Sequence, residues 1–452
     1  MKVVVIGCGG TGGPCSMMLK KLDPSVDLTL IREEENFLTR CAIPYIVVED
    51  ATVEASIKDD RIHKVGLKVV DSKAVKVDRE RKTVTTADGG VYPYDKLVLA
   101  TGGIPIKPPM PGVDLEGVFT VRTSRDAVNI LNRLKEKGDR GVVVIGAGAI
   151  GLEMASLIAR DGIKVTVVEA LDRILAVSLD ADMSKEVEEY LSSKGIDFRL
   201  NQMAKRILGE KEVEGVELSD GTRIEAGTVI LAVGVRANTE LASDCGLEIG
   251  KFGVKVNKYL QTSDPDIYAG GDLIEYESLI TGEKIPGQIR PNAVIGGRII
   301  AKNILGYKIE FPPLLNNFAT KLLDKSVAGV GLTEEAAKRA GIDVAVGKFT
   351  TVNKHLMMKD KKSYTVKLIF DRRSKQIIGG QVVSDTDSMV KVIDVIALAK
   401  DAGSRPLISQ RSGQRASQSY HPSRVQNQSR WLLRRYSWIF IPARQNEMVE
   451  FL

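Results

Sequence analysis

Two stretches of the chain repeat one pattern of apolar and polar positions. Residues 3–6 and 142–145 are continuous apolar runs, and each is followed by closely spaced glycines and a helical stretch. Such a run indicates a strand that is buried on both faces, as in a parallel sheet. A second apolar strand follows in each copy, at residues 27–31 and 164–168. The duplicated pattern predicts two parallel sheets and two nucleotide sites.

The remaining segments show other patterns. Residues 65–99 predict short strands separated by turns. Prolines cluster within residues 105–112 and again at 312–313, and we interpret the first cluster as an interdomain linker. Residues 364–370 predict a strand, and the apolar positions of 388–400 predict a mostly buried helix.

The glycines of the repeat have the spacing G-x-G-x-x-G. They are Gly7, Gly9 and Gly12 in the first copy and Gly146, Gly148 and Gly151 in the second. Glycine lets the backbone turn sharply and approach a pyrophosphate, while the following helix N-terminus supplies free N–H groups. One such motif is a weak signal, but two copies between a buried strand and a helix are a strong one.

An acidic residue about 20 positions after such a motif binds a ribose hydroxyl. Glu169 ends the second strand of the second copy, which favours NADH, although Arg173 keeps NADPH open. In the first copy the expected position is Arg32, and we take the adjacent Glu33 as the ribose ligand.

The composition restricts the class of protein. Hydrophobic residues make up 43% of the 452 and charged residues 27%, which is typical of globular proteins. The four cysteines are too few for a disulfide scaffold and fit a reducing compartment, so we expect a cytoplasmic location. No apolar run approaches the ~18 residues that would span a bilayer, and no signal-peptide pattern begins the chain. We therefore expect no membrane partner and no metal.

The net charge of +6 comes from one end of the chain. Residues 403–452 form an atypical tail rich in Arg, Ser and Gln, with eight arginines and no lysine. Residues 1–402 carry equal numbers of basic and acidic residues. The charge therefore gives no reason to expect a nucleic-acid partner.

Further motifs complete a recognisable order. A-T-G at 100–102 lies between the two glycine motifs, and Y-A-G-G-D at 268–272 follows them. Over about residues 1–400 this order resembles the pyridine nucleotide–disulfide oxidoreductase family. The resemblance implies an α/β fold with two Rossmann-like domains, for FAD and NAD(P)H, and an α+β C-terminal dimerisation domain. It also implies a homodimer or higher homo-oligomer.

The resemblance assigns cofactor contacts and domain limits. Besides the glycine motifs, Glu33 and Glu169, it implies cofactor binding by Arg40, Ala100, Thr101, Gly102, Gly234, Gly271 and Asp272, of which Asp272 would bind the flavin ribityl chain. The expected segments are 1–111 (FAD domain), 112–240 (NAD(P) domain), 241–309 (return to the FAD domain), 310–402 (dimerisation domain) and 403–452 (tail).

The subgroup depends on one cysteine. In the glutathione-reductase-like branch a second cysteine lies five positions after the first. In this chain the residue five positions after Cys41 is Ile46. The string is similar to the single-cysteine branch of coenzyme A-disulfide reductases, NADH oxidases and persulfide reductases. A lone cysteine alternates between thiolate and a mixed disulfide or an oxidised sulfur. A following helix, with Pro44 in its first turn, and Arg40 would lower the pKa of Cys41.

The resemblance leaves two substrates that could accept the electrons, a sulfur compound or oxygen. Peroxidases and some oxidases of this branch carry histidine where this chain has Gly10, so we favour reduction of a disulfide, persulfide or polysulfide. Lys20 and Lys21 resemble a basic pair that would bind the phosphates of coenzyme A, although members using it commonly have Asn at the position of Arg40. The alternative is an NADH oxidase that reduces oxygen at the flavin.

Overall fold

A computed structural model describes residues 1–34 and 36–402 of the chain, so our predictions for the tail lie outside the described residues. In chain order the strands are β1 (Lys2–Ile6), β2 (Asp27–Arg32), β3 (Lys68–Asp71), β4 (Ala74–Asp78), β5 (Thr83–Thr86), β6 (Val91–Pro93), β7 (Lys96–Leu99), β8 (Gly103–Pro105), β9 (Val118–Thr120), β10 (Val142–Ile145), β11 (Val165–Val168), β12 (Ile196–Arg199), β13 (Ala204–Leu208), β14 (Gly215–Leu218), β15 (Arg223–Glu225), β16 (Thr228–Leu231), β17 (Val235–Ala237), β18 (Ile267–Ala269), β19 (Glu275–Glu277), β20 (Lys284–Pro286), β21 (Phe318–Leu322), β22 (Lys325–Gly331), β23 (Val344–Val352), β24 (Ser363–Asp371) and β25 (Ile377–Ser384).

The helices of the same residues are α1 (Gly12–Leu22), α2 (Ile43–Val47), α3 (Val53–Ser56), α4 (Asp59–Lys64), α5 (Ser124–Lys137), α6 (Ala149–Arg160), α7 (Ala181–Ser193), α8 (Glu240–Asp244), α9 (Arg290–Ile304), α10 (Glu334–Arg339), α11 (Asp387–Val390) and α12 (Val392–Asp401). Short 3₁₀ turns occur at Arg40–Ala42, Gly138–Arg140 and Gly271–Leu273. Among these described helices none is both long and apolar enough to cross a bilayer.

The first apolar run forms the centre of a parallel sheet. Its strands lie in the order β18-β7-β1-β2-β3, and Val3, Val4, Val5 and Ile6 of β1 are all buried. Helices α1 and α9 pack together. Because β18 belongs to this sheet, the chain returns to its first layer after it has built the second.

The second apolar run forms an equivalent sheet. Its strands lie in the order β12-β11-β10-β16-β9, and all neighbouring pairs are parallel. The fold predicted from the duplicated pattern is therefore confirmed. The antiparallel strands β8 and β17 pair with each other and connect the two units. The domain limits at 111, 240 and 309 stay a prediction.

A third five-stranded sheet, called the third sheet below, is antiparallel. Its strands lie in the order β21-β22-β25-β24-β23. Helix α12 packs on it and buries Ile393, Ile396 and Ala397. The prediction of one mostly buried helix at 388–400 is wrong, because α11 and α12 are separate and Val395 is 63% exposed. A helix packed on one sheet buries only one face, so its other apolar positions stay outside.

A buried lysine joins the third sheet to the second unit. Lys367 of β24 is only 3% exposed, and its ammonium lies 3.2 Å from Asp180 and 2.7 Å from Asp182 and also pairs with Glu334. Although burial opposes it, hydrogen bonds from Lys367 and Lys348 hold the pKa of Asp182 below its ordinary value. The cluster is therefore stable only while the lysine neutralises its carboxylates.

We expect Lys367→Met to lower the free energy of unfolding by about 3 kcal/mol, because it leaves the buried Asp180 carboxylate without its cation. Urea denaturation followed by circular dichroism measures this change. Lys348→Met is the matched control: Lys348 is half-exposed and also pairs with Asp182, so its loss is expected to cost less than about 1 kcal/mol. Equal losses in the two variants would contradict this interpretation.

Candidate active site

The first glycine motif forms a tight loop between β1 and α1. A Cβ on Gly12 would lie 1.8 Å from the carbonyl oxygen of Gly7, so the helix begins directly against the end of the strand. Gly7 itself has φ +99° and faces the carbonyl of Ala100, which brings the A-T-G segment beside the loop. The N–H groups of the first helical turn therefore point to the space in front of the sheet, where an anion can bind.

Arg40 supplies a cation at this loop. Its guanidinium donates to the backbone oxygen of Arg122 at 3.1 Å and pairs with Glu34. It also lies against Gly9, where an added Cβ would be 3.1 Å from it. A guanidinium beside a glycine loop and a helix N-terminus suits a pyrophosphate.

Asp272 lies close to the same loop. Its carboxylate is 3.4 Å from the guanidinium of Arg122, and both side chains are mostly buried. Beside it, a Cβ on Gly271 would lie 2.4 Å from the hydroxyl oxygen of Thr11, a buried group without a hydrogen-bond partner. The Asp272 carboxylate can accept a hydrogen bond from a polyhydroxy chain, and the Thr11 hydroxyl can donate one to it.

The A-T-G segment also contacts the chain that returns from the second unit. The hydroxyl of Thr101 donates to the backbone oxygen of Asn238 at 2.9 Å. The N–H of Asn238 donates to the backbone oxygen of Gly102 at 2.8 Å. These bonds fix the end of β7 next to the first glycine loop.

The second glycine motif has the same geometry. A Cβ on Gly151 would lie 2.1 Å from the carbonyl oxygen of Gly146, and Gly146 faces Ala232 as Gly7 faces Ala100. A Cβ on Gly148 would meet no atom within 4 Å, so space for a ligand lies in front of this loop. Gly234, with φ +112°, follows β16 at the same edge of the sheet.

Glu169 contacts the second loop, whereas Arg173 is held in two ion pairs. The Glu169 carboxylate accepts hydrogen bonds from the N–H of Ala147 at 2.7 Å and of Leu171 at 3.0 Å. Each oxygen keeps a lone pair for a ribose hydroxyl. Arg173 pairs with Asp172 at 2.7 Å and with Glu335 at 2.6 Å, so its charge is already neutralised.

Three further residues were predicted to bind a cofactor or coenzyme A, and each has contacts only at the protein surface or with its own loop. Glu33 is exposed, and its carboxylate lies 3.9 Å from the ammonium of Lys73. Lys20 donates to the backbone oxygens of Pro24 and Val26 at 3.1 and 2.6 Å, which ties it to its own loop. Lys21 is exposed at the last turn of α1.

Cys41 lies in the 3₁₀ turn that precedes α2, with Pro44 in the first turn of that helix as predicted. It is exposed and free, whereas Cys8 and Cys15 are buried. Ile46, at the position of a second cysteine, is only 3% exposed and packs in the core. The side chain at position 41 is therefore the accessible sulfur of this segment.

The prediction that the pKa of Cys41 is lowered is wrong. The surrounding protein raises the pKa of the thiol by desolvation, and the positive charge of Arg290 offsets this only in part. Glu153 and Asp272 raise the pKa further by their negative charge. A 3₁₀ turn followed by a five-residue helix has little macrodipole to counter the desolvation of the thiol by its neighbours.

Glu153 was not predicted from the sequence. It lies on α6 in the second unit, and burial raises the pKa of its carboxyl to about 7. The hydroxyl of Thr320 on β21 donates to it at 2.6 Å. The available signal in the sequence was Glu153 itself, a single acidic residue in an otherwise largely apolar helix.

Gly10 lies close to α9. A Cβ there would lie 3.0 Å from the Cβ of Ala293 on α9, so a larger residue requires this neighbour to give by a few tenths of an ångström.

Comparison with known proteins fits this geometry. Residues 1–297 match the pyridine nucleotide-disulphide oxidoreductase domain, and residues 318–407 match the dimerisation domain of the same family. The chain belongs to this family. It is thus an FAD-dependent NAD(P)H oxidoreductase.

Individual relatives carry two kinds of name. An NADH oxidase of Methanocaldococcus jannaschii is 36% identical over 400 residues, 85% of this chain and 89% of that protein. A CoA-dependent NAD(P)H sulfur oxidoreductase of Pyrococcus abyssi is 33% identical over 84% of this chain and 86% of its own length. An NAD-dependent persulfide reductase structure from A. fulgidus has a TM-score of 0.87 and 32% identity, covering 90% of this chain and 77% of that one.

The family's cofactors fit the residues that are present. For FAD, the first loop offers a helix N-terminus, the Arg40 cation and the Asp272 carboxylate. For NAD(P)H, the second loop offers open space in front of Gly148 and the Glu169 carboxylate. In the described part of the chain no group of His, Cys, Asp and Glu could hold a metal ion.

We expect Gly12→Ala to abolish FAD binding, because its methyl group would collide with the Gly7 carbonyl and push α1 off the sheet. The absorbance ratio of flavin to protein in the purified variant measures this loss. Gly296→Ala on α9 is the control, since a Cβ there would meet its neighbours at 3.6 Å or more. Retention of FAD by Gly12→Ala would contradict the assignment of this loop.

Proposed function

We propose that the chain reduces a disulfide, persulfide or polysulfide substrate through Cys41, with coenzyme A as the thiol carrier. The observation that carries the proposal is an exposed, free Cys41 with a buried Ile46 where a second cysteine would be. The names of the sulfur oxidoreductase and the persulfide reductase support it. So does Gly10, which stands where peroxidases and some oxidases of the branch carry a histidine.

The chemistry follows from a lone thiol. The Cys41 thiolate attacks one sulfur of the substrate disulfide, which forms a mixed disulfide and releases the second sulfur as a thiolate that takes up a proton. With FAD bound, the two electrons of an NAD(P)H hydride would become available to cleave the mixed disulfide, which would restore the Cys41 thiolate and release the other sulfur as a thiol after it takes up a proton. Arg290 stabilises the Cys41 thiolate by its charge.

The residues around the glycine loops hold the cofactors in this proposal. The first loop, with Arg40, binds the pyrophosphate of FAD, and Asp272 accepts a hydrogen bond from the ribityl chain. Gly9, Ala100, Thr101, Gly102 and Gly271 complete that cradle, and Gly148, Gly151 and Gly234 complete the second one. Glu33 takes the ribose of FAD, and its exposure leaves the carboxylate accessible.

Coenzyme A binding involves Lys21 more than Lys20. Lys20 already donates to two backbone oxygens, whereas the exposed Lys21 is available for a phosphate. A dimer formed through the third sheet is the expected assembly, since the family's dimerisation domain covers it. The free cysteines support a reducing, cytoplasmic compartment.

The second candidate function is NADH oxidation by oxygen. The name of the relative from Methanocaldococcus jannaschii favours it. In that case oxygen consumption matches NADH consumption, and coenzyme A disulfide or persulfide does not increase the rate. Sulfur turnover that exceeds oxygen uptake under air supports the first function instead.

We expect Cys41→Ser to lower the reduction of coenzyme A disulfide and persulfide by at least about a hundredfold, because the hydroxyl cannot form the mixed disulfide. Anaerobic stopped-flow measurement of NADH consumption tests this, with ferricyanide reduction as a check that hydride still reaches FAD. Cys245→Ser is the matched control, since that thiol is half-buried and bonded to the Ala242 carbonyl. Undiminished sulfur reduction in Cys41→Ser would refute the proposal.

We expect NADH to be preferred over NADPH by about tenfold or more in kcat/KM, since the Glu169 carboxylate repels a 2′-phosphate. Because Arg173 is neutralised by Asp172 and Glu335, Arg173→Ala should leave NADPH use unchanged within about twofold. Steady-state kinetics with both nucleotides test both statements. A tenfold loss of NADPH use in Arg173→Ala would show that this arginine binds the phosphate.

A further inference from the structure

The chain between β11 and α7, residues 169–180, folds against the second glycine motif, and we call it the β11–α7 segment. Ala147 is the residue between the first two glycines of that motif. Its N–H donates to the Glu169 carboxylate at 2.7 Å, and its carbonyl oxygen accepts a hydrogen bond from the N–H of Leu175 at 2.9 Å. Both backbone groups of one motif residue are thus held by this segment.

The backbone of the segment is strained where it makes this contact. Leu175 has φ +49°, a left-handed conformation that a bulky side chain rarely adopts. Such a conformation persists only where its surroundings impose it. Leu175 is 3% exposed, and the carbonyl oxygen of the fully buried Ile174 accepts a hydrogen bond from the hydroxyl of Ser184 on α7 at 2.7 Å. The contact with Ala147 therefore depends on how the segment is held by its neighbours.

The third sheet holds the end of the segment through a buried pair. Asp180 donates its N–H to the side-chain oxygen of Gln381 at 3.0 Å and accepts a hydrogen bond from the Gln381 amide nitrogen at 2.7 Å. Gln381 is 1% exposed and lies on β25, the central strand of the third sheet. The N–H of Glu334 and the ammonium of Lys367 also contact the Asp180 carboxylate, at 2.9 and 3.2 Å. The segment thus ends in contacts made by the dimerisation domain.

A second link between the segment and that domain lies nearer the surface. Arg173 pairs with Glu335 at 2.6 Å, and the Glu335 side chain is 54% exposed. Ion pairs that face solvent contribute little to stability. The buried pair of Asp180 and Gln381 is therefore the contact that fixes the segment, which agrees with the small effect expected for Arg173→Ala.

We propose that Gln381 is a positioning residue for NAD(P)H, which acts from the dimerisation domain through Asp180 and the β11–α7 segment. Its two hydrogen bonds keep the segment in the strained form that holds Ala147 and Glu169. Without them the backbone at Leu175 relaxes, its N–H leaves the Ala147 carbonyl, and the motif binds the nucleotide more weakly. The inference rests on the proposed function in one point, the binding of NAD(P)H at the second glycine loop. It is independent of whether sulfur or oxygen accepts the electrons.

The test is calorimetric titration of the FAD-bound protein with NAD⁺, which measures affinity without turnover. We expect Gln381→Met to raise the Kd for NAD⁺ about tenfold, because methionine fills a similar volume but makes neither hydrogen bond to Asp180. Hydrogen exchange followed by mass spectrometry should show faster exchange in peptides that cover residues 169–180. With NADH as substrate, KM should rise while kcat and the flavin content stay within about twofold of wild type.

Two further variants separate positioning from general stability. Lys325→Met is the matched control, because Lys325 joins α7 to the third sheet through Glu186 at 3.5 Å and Asp385 at 2.7 Å, outside the β11–α7 segment. It should leave the Kd for NAD⁺ within about twofold of wild type. Ser184→Ala removes the hydrogen bond to Ile174 and should raise the Kd in the same direction as Gln381→Met. Should Gln381→Met fail to fold, Ser184→Ala decides the proposal in its place.

An unchanged Kd in Gln381→Met, or an equal rise in Lys325→Met, would overturn the proposal. Failure of the proposed nucleotide site gives a different result, which Gly151→Ala reveals. A Cβ on Gly151 would lie 2.1 Å from the Gly146 carbonyl oxygen, so this variant should lose NAD⁺ binding and keep FAD. Normal NAD⁺ binding by Gly151→Ala would reject the site itself. Loss of binding there, together with an unchanged Kd in Gln381→Met, would reject only the role of Gln381.

Discussion

The structure depends on the contact between the start of a helix and the end of a strand, made twice in the chain. At Gly12 and Gly151 the helix backbone lies so close to the strand that a single methyl group would collide with a carbonyl. Only this closeness brings the N–H groups of the helix to the carboxyl edge of the sheet. The other features of each site, from the A-T-G segment to the Glu169 carboxylate, are arranged around that contact.

The parts that the sequence predicted are those with local causes. A strand buried on both faces needs an unbroken apolar run, and a tight loop needs glycines at fixed spacing, so both sheets and both loops could be predicted. The helix near residue 390 could be predicted less well. Its apolar positions do not distinguish a face packed on its own sheet from the exposed face that holds Val395.

The parts that could not be predicted have distant partners or opposing causes. Arg122 meets Asp272, and Thr320 meets Glu153, only because the sheets bring together residues more than a hundred positions apart. The pKa of the Cys41 thiol depends on opposing causes. The sequence showed a helix start and an arginine, but the desolvation that outweighs them depends on three-dimensional packing.

Four strands of each sheet lie in the same order, β7-β1-β2-β3 and β16-β10-β11-β12, and only the fifth strand comes from a different part of the chain. The difference between the two loops therefore lies in side chains rather than in the topology around them. Where β2 ends, Arg32 is buried between Asp59 and Asp71 and holds its own sheet together. At the equivalent position after β11, Glu169 stays beside the glycine loop. The residue at this strand end thus stabilises its own sheet in the first copy and lies beside the glycine loop in the second. A descendant that recruited a different dinucleotide would need to rewrite little more than this short stretch.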